Sequence, residues 1–317
     1  MVDRPSILCP VDFSDASRGA LRLAADIAEH FYAAFTVLAV NDPLLAHGAA
    51  LAYGEGWLDR DVRRLLDEFL AESLEDRPLA VAECHREIAT GKPAREILRI
   101  AQSRRADLIV MGAHGLTGPR KWLLGSTTER VLRGTDIPVL VTPASAVIPR
   151  ELESLRNRVR CVLAPVDLSA ATPHQVRVAG GLAKALDATL VLAHVAEPIV
   201  SRTGHERIMS RLRAERHANS RRTLGDLTSL LPTDVRASVM TAGGEPAAEI
   251  ARLAHLVEAG VIVMGLHGAV GTGPRLGSVT YRVLCQSDAL VLALPPRLEA
   301  EAVTPWRAAV RRMALVD

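Results

Sequence analysis

The chain has 317 residues, of which 49% are apolar and 23% charged, with a net charge of +2. This composition excludes a disordered chain, and no apolar run approaches the ~18 residues of a membrane-spanning helix. At about 150 residues per domain, the length suggests two domains. Aromatic residues make up only 3%, so the core must be built from Ala, Val, Leu and Ile. The cysteines Cys9, Cys84, Cys161 and Cys285 form no CxxC pair. That argues against a disulfide framework or a structural zinc site and fits a reducing cytoplasmic compartment. The first apolar run stops at Asp12, too soon for a signal peptide.

Taken in order, residues 7–11 form a short apolar strand that Asp12 ends, and Ser14 can cap a helix. In that helix Leu21, Ala24, Ile27, Ala28 and Phe31 recur at helical spacing. Residues 36–40 are a second strand, 57–74 a charged amphipathic helix, and 79–88 a loosely alternating, more exposed strand. Pro93 opens a helix with Ile97, Ile100 and Ala101 inward. Residues 108–111 are a buried strand, 126–133 a short helix and 137–142 a fifth strand.

The same order then returns. ILCPVDFS at 7–14 matches VLAPVDLS at 162–169, DLIVMGAHG at 107–115 matches GVIVMGLHG at 260–268, and GSTTERVL at 125–132 matches GSVTYRVL at 277–284. The offsets of 155, 153 and 152 are nearly constant, so the chain is a duplicated domain. We place the first copy at 1–146 (net −3), the second at 158–296 (net +4), and a C-terminal helical tail at 297–317. Alternating apolar strands and helices imply an α/β fold in which each repeat is a doubly wound parallel sheet with helices on both faces. Ligands of such sheets bind beyond the carboxyl ends of the strands, where the crossover direction reverses.

Gly112, Gly115, Gly125 and Ser126 give the spacing G-x2-G-x9-G-S between the fourth strand and the last helix. Glycine tolerates positive φ and lets backbone amides approach a ligand, and a helix start offers donors to phosphate oxygens. Ser126 and Thr127 add hydroxyls there, and Arg120 and Lys121 add cations in the loop. The plain alternative is a turn with a helix cap. Asp12, at the end of the first strand, suits ribose hydroxyls or a magnesium ion carried by phosphates; equally, it can cap the following helix with Ser14. Val40, at the end of the second strand, offers main-chain polar atoms and an apolar wall.

These motifs resemble the universal stress protein family in its tandem two-domain form. The resemblance rests on P-V-D-x-S, V-M-G-x-H-G, the G-S-x-T-x-R-V-L helix and the glycine spacing. It implies a five-stranded sheet in the order 3-2-1-4-5 and ATP, with or without magnesium, between strands 1 and 4. Pro10, Val11, Asp12 and Val40 would then hold adenosine, with Met111, Gly112, His114, Gly115, Gly125, Ser126 and Thr127 on the phosphate side. The second repeat keeps Pro165, Asp167, Val195, Met264, Gly265, His267, Gly268, Gly277 and Ser278. Its loop is one residue shorter, and Val279 replaces the hydroxyl of Thr127, so its site is expected to be weaker.

The chain has no Walker A, HExxH or GxSxG motif, which removes the usual anchors for phosphoryl transfer, zinc proteolysis and α/β-hydrolase chemistry. His114 and His267 recur at matched positions and read better as loop or phosphate contacts than as general bases. Residues 202–222 hold seven arginines but no interleaved aromatics, so a solvated helix is expected there rather than a nucleic-acid surface. Thr304 and Pro305 start a tail helix with Trp306, Val310 and Met313 on one face, expected to dock on the domain. The apolar fifth strands are sheet edges in the family topology, and edges invite pairing. The family thus implies either a pseudo-dimer within the chain or a homodimer through those strands. The expected function is a nucleotide-binding regulatory protein of the stress response. A scaffold without nucleotide and a slow ATPase are the alternatives.

Overall fold

Strands that are apolar on both sides are satisfied only when helices cover both faces of their sheet. In the computed structural model, which describes residues 4–115, 123–143, 155–197, 206–266 and 276–295, this is achieved by one sheet of ten strands. The first repeat runs β1 (Ser6–Val11), α1 (Asp15–His30), β2 (Ala34–Asn41), α2 (Pro43–Tyr53), α3 (Trp57–Ser73), α4 (Pro78–Glu83), β3 (His85–Thr90), α5 (Pro93–Ser103), β4 (Leu108–Gly112), α6 (Ser126–Gly134) and β5 (Val139–Thr142). A short connecting helix, α7 (Leu155–Arg158), leads to the second. That repeat runs β6 (Cys161–Pro165), α8 (Thr172–Ala185), β7 (Thr189–Ala196), α9 (Glu206–Leu227), β8 (Ala237–Gly243), α10 (Pro246–Leu256), β9 (Val261–Gly265), α11 (Ser278–Gln286) and β10 (Leu290–Leu294).

The strand order is β3-β2-β1-β4-β5-β10-β9-β6-β7-β8. Each half therefore has the order 3-2-1-4-5. The fifth strands meet antiparallel, Val141 opposite Val291 and Val139 opposite Ala293, so two apolar edges cover each other within the chain. Two hydrophobic clusters run along the sheet, and each continues through both repeats. One lies under α1, α3, α8 and α9, the other under α5, α6, α10 and α11. No helix among the described residues is long and apolar enough to cross a membrane.

The duplication extends to the backbone. Among the described residues, the six non-glycine residues with left-handed φ form three pairs, one member from each repeat: Phe13 (64°) with Leu168 (60°), Tyr32 (50°) with Asp187 (52°), and Arg105 (49°) with Glu258 (50°). These are strand-to-helix and helix-to-strand turns, where the chain must reverse in few residues.

Three expectations change. The exposed strand expected over 79–88 divides into α4 and β3, because Pro78 occupies the first turn of a helix and the ladder with β2 begins only at His85. Helix α2 was not expected; Asp42 caps it and Pro43 opens it. The fifth strands begin later than their apolar runs do, at Val139 and Leu290. The tail helix falls outside the described residues.

The connector is tied to α1 by charge. Asp26, with a side chain only 5% exposed, lies 2.5 Å from Arg77 and 3.8 Å from Arg158 of α7. Burial pushes its carboxyl up to about 6, against the pull of Arg77 and Arg158 and with a further push from Glu29 and Asp76. The folded state thus holds the Asp26 proton more tightly than the unfolded chain does. The contribution is fully present below the unfolded value of 3.8 and is lost as pH rises through about 6. By linkage it amounts to at most about 3 kcal/mol. Asp26→Asn is expected to remove this component of the fall in unfolding free energy between acidic and neutral pH, measured as a flatter urea-denaturation profile than wild type.

Candidate functional site

β1 and β2 pair at six positions, whereas β1 and β4 pair only at Ile7–Leu108 and Leu8–Ile109. Beyond Leu8 the strands part. The residues after β1 and those after β4 then leave in different directions, and a crevice opens between the strand ends.

Asp12 stands at its mouth. One carboxylate oxygen accepts hydrogen bonds from the Ser14 amide (3.1 Å) and the Ser14 hydroxyl (2.5 Å), while Ser14 Oγ accepts from the Ser17 amide at 3.2 Å to cap α1. Phe13 takes left-handed φ to make the turn. The other oxygen faces Gly115, where a Cβ would lie 2.3 Å from it. The capping role and a position in the crevice therefore coexist.

The glycines act through space rather than through φ. None of Gly112, Gly115 and Gly125 is among the positive-φ residues, and Gly125 sits at φ −59°. A Cβ at Gly112 would be 3.1 Å from the Ala16 carbonyl of α1, and one at Gly125 would be 3.1 Å from the Ala113 carbonyl. Gly112 thus lets α1 pass, and Gly125 lets the start of α6 pack on the end of β4. The Gly125 amide is not a bare donor: it donates to the Ala113 carbonyl at 2.8 Å.

The available donors lie one residue further on. No side chain caps α6, so its first amides, those of Ser126, Thr127 and Thr128, lack intrahelical acceptors. Ser126 is exposed and Thr127 half-buried. The Ile109 and Ala113 amides donate to the Pro138 and Thr142 carbonyls on the β5 side. Alternation therefore turns the Gly112 amide toward the β1 side, past the end of that ladder. Both ring nitrogens of His114 are buried and have no hydrogen-bond partner among the described residues.

Pro10 is buried in β1, and Val11 and Met111 are core residues at 7% and 5% exposure. They present main chain to the crevice. Val40 is half-buried at the end of β2 and packs on the same cluster as Met111. Arg120, Lys121, His267 and Gly268 lie outside the described residues.

Sequence reading missed Thr128. Its hydroxyl donates to the Gly112 carbonyl at 2.9 Å, and Thr280 does the same to Gly265 at 2.8 Å. The signal was the second threonine of GSTT, which GSVT keeps. These bonds anchor the start of the last helix to the end of the fourth strand in both repeats.

In the second repeat Asp167 accepts from the Ser169 amide at 3.0 Å and the Thr172 hydroxyl at 3.4 Å. The Gly277 amide is committed to the Leu266 carbonyl at 2.7 Å, and α11, which begins at Ser278, has no side-chain cap. Val195 is half-buried on β7, and Met264 is 5% exposed. At two positions a polar side chain stands where the first repeat has alanine. Gln175 donates to both the Pro165 and Val263 carbonyls, at 2.7 and 2.8 Å, bracing the parted strands from below; its counterpart is Ala20. The ring Nδ1 of His194 lies 2.9 Å from the Val166 carbonyl; its counterpart is Ala39.

Comparison with known proteins agrees with this architecture. A universal stress protein of Methanocaldococcus jannaschii is 37% identical over 139 residues, covering 43% of this chain and 79% of that protein. One from Thermus aquaticus is 31% identical over 139 residues, covering 43% of this chain and 96% of its own length. The crystal structure of a universal stress protein from Archaeoglobus fulgidus shares the fold with a TM-score of 0.60 at 19% identity, covering 92% of this chain and 96% of that one. A structure from Pseudomonas aeruginosa does so with a TM-score of 0.61 at 18% identity, covering 98% and 96%. The model of the universal stress protein family matches twice, over residues 4–143 and 159–295. The chain therefore belongs to the universal stress protein family and carries its domain twice.

Proposed function

We propose that the first repeat binds an adenine nucleotide, ATP or a close relative, and that occupancy serves as a regulatory signal in the stress response. The observation that carries this reading is the uncapped start of α6 beside Asp12, Gly115 and the ring nitrogens of His114, which have no partner among the described residues. Helix amides without acceptors and an imidazole without a partner both suit an anionic, hydrogen-bonding ligand. Phosphates would take the amides and hydroxyls of Ser126 and Thr127. Ribose hydroxyls would take the Asp12 carboxylate, which is also the group placed to reach a magnesium ion carried by the phosphates. The base would lie against Pro10, Val11 and the Val40 main chain. Such a site binds and orients, and we assign it no proton-transfer step. Four free thiols, three of them buried, suit a reducing cytoplasmic setting. The second repeat would bind more weakly, because its loop is shorter and Val279 brings no hydroxyl.

Calorimetric titration of the full chain with ATP tests this reading. Gly115→Val places a side chain against the Asp12 carboxylate and is expected to weaken binding at least about tenfold, or ~1.4 kcal/mol. A wild-type chain that takes up no nucleotide, or a variant that binds equally well, would remove the proposal. One observation favours a scaffold instead: the Gly125 amide is already committed to protein. A melting temperature unmoved by ATP would support that reading.

Thr128→Val leaves the Gly112 carbonyl without its hydroxyl donor. A chemical-denaturation series is expected to show a loss of about 1–3 kcal/mol. Calorimetry is expected to show weaker ATP binding as well, because the start of α6 is no longer held beside β4.

A further inference from the structure

Helix α2 reads PLLAHGAALAY, eleven residues without an acidic or strongly basic side chain. None of its residues is buried. Leu44 is 83% exposed, Leu51 77% and Leu45 66%. The helix is nonetheless well specified: Pro43 occupies its first turn, and the Asp42 carboxylate accepts from the Leu44 and Leu45 amides at 2.7 and 3.4 Å. A helix this short is marginal in water by itself, and one that is apolar all round is normally covered.

At about 100° per residue, the exposed side gathers Leu44, Leu45, Gly48, Leu51 and Ala52. Gly48 lies at its centre, and nothing stands within 4 Å of where its Cβ would be. A glycine in mid-helix costs about 1 kcal/mol relative to alanine, and no contact inside the chain requires one here. A second backbone approaching at that point would require it.

We infer that α2 is the face on which two copies of this chain associate, packing antiparallel about a two-fold axis that passes by Gly48. In that register Gly48 meets Gly48, Leu45 meets the partner's Leu51, and Leu44 meets the partner's Ala52, a large residue opposite a small one. A two-fold contact must be self-complementary, and an uncharged face brings no like charges together. The fifth strands, the other candidates for self-association, are already paired with each other inside the chain. A membrane surface is a poor occupant. The flanking charges are Asp42, Glu55 and Asp59 against Arg60, whereas anionic lipid attracts clusters of Lys and Arg. One short helix offers roughly half of the about 800 Å² per partner that a stable complex buries, so the dimer is concentration-dependent.

Sedimentation velocity of the full chain across the micromolar range tests the inference. Wild type is expected to move from monomer toward dimer, with Leu51→Glu shifting the dissociation constant at least about tenfold. Gly48→Leu adds apolar surface but props the backbones apart, so it too is expected to stay monomeric. Leu51 is largely exposed and nothing surrounds the Gly48 Cβ position, so Leu51→Glu should keep the wild-type melting temperature and Gly48→Leu should not lower it. Gly48→Cys is expected to cross-link as a symmetric disulfide under oxidation. Three results would overturn the assignment: a wild type that remains monomeric throughout, a Gly48→Leu chain that associates as well as wild type, or a dimer indifferent to Leu51→Glu. Sedimentation of wild type with anionic vesicles, without self-association, would also overturn it and point to lipid.

Discussion

The early parting of β1 from β4 is the constraint on which the rest of the structure turns. Two paired positions hold the strands together at one end, and nothing pairs them at the other. Right-handed crossovers that wind in opposite senses from neighbouring strands make this separation unavoidable. Once the strands part, their last peptide groups lose their sheet partners and must find others. Three devices do this: an Asx turn at Asp12, a threonine hydroxyl reaching back to the end of the fourth strand, and glycines small enough to let α1 and α6 close in. The crevice is what remains after these devices have acted.

The same logic explains why the repeats are fused through their fifth strands. A five-stranded sheet of this order ends in an apolar strand whose outer edge is unsatisfied. Joining β5 to β10 closes both edges and makes each hydrophobic cluster continuous across the chain. The buried contacts of Leu155 and Val159 and the Arg158–Asp26 pair then place the connector against α1. That pair is imperfect by design of the site. Burial pushes the Asp26 carboxyl up to about 6 despite two arginines, so desolvation offsets part of what the ion pairs contribute at this junction.

Much of this was legible in the residues, and the limits have physical causes. Strand order and duplication were readable because buried parallel strands leave continuous apolar runs, and because motifs at matched offsets survive in both halves. The capping role of Ser14 and the inward faces of α1 and α5 followed from spacing alone. The spacing suggests positive φ at the glycines, whereas Gly112 and Gly125 have ordinary φ and instead leave room for the Ala16 and Ala113 carbonyls. Such contacts join segments far apart in sequence and leave no local pattern. Gln175 and His194 escaped notice for the same reason, since each acts on a carbonyl that only the fold brings near. Helix α2 carries a cap and a proline, but its uniformly apolar composition has no period to read.

The two repeats agree where the backbone is constrained and differ where a side chain fills space. Left-handed turns, committed glycine amides and threonine anchors occur in both halves at matched positions, because losing any of them would break a turn or strand a buried peptide group. Beneath the crevices the repeats diverge. Ala20 leaves the parted strands of the first unbridged from that position, whereas the carboxamide of Gln175 ties together the carbonyls of the second. Holding both carbonyls requires both protons of one amide nitrogen, so neither carbonyl can be drawn aside without loss of a buried hydrogen bond. Gln175 thus ties the two strands beneath the second crevice, while Ala20 provides no such tie beneath the first. A fold built by duplication therefore carries two crevices that are braced differently.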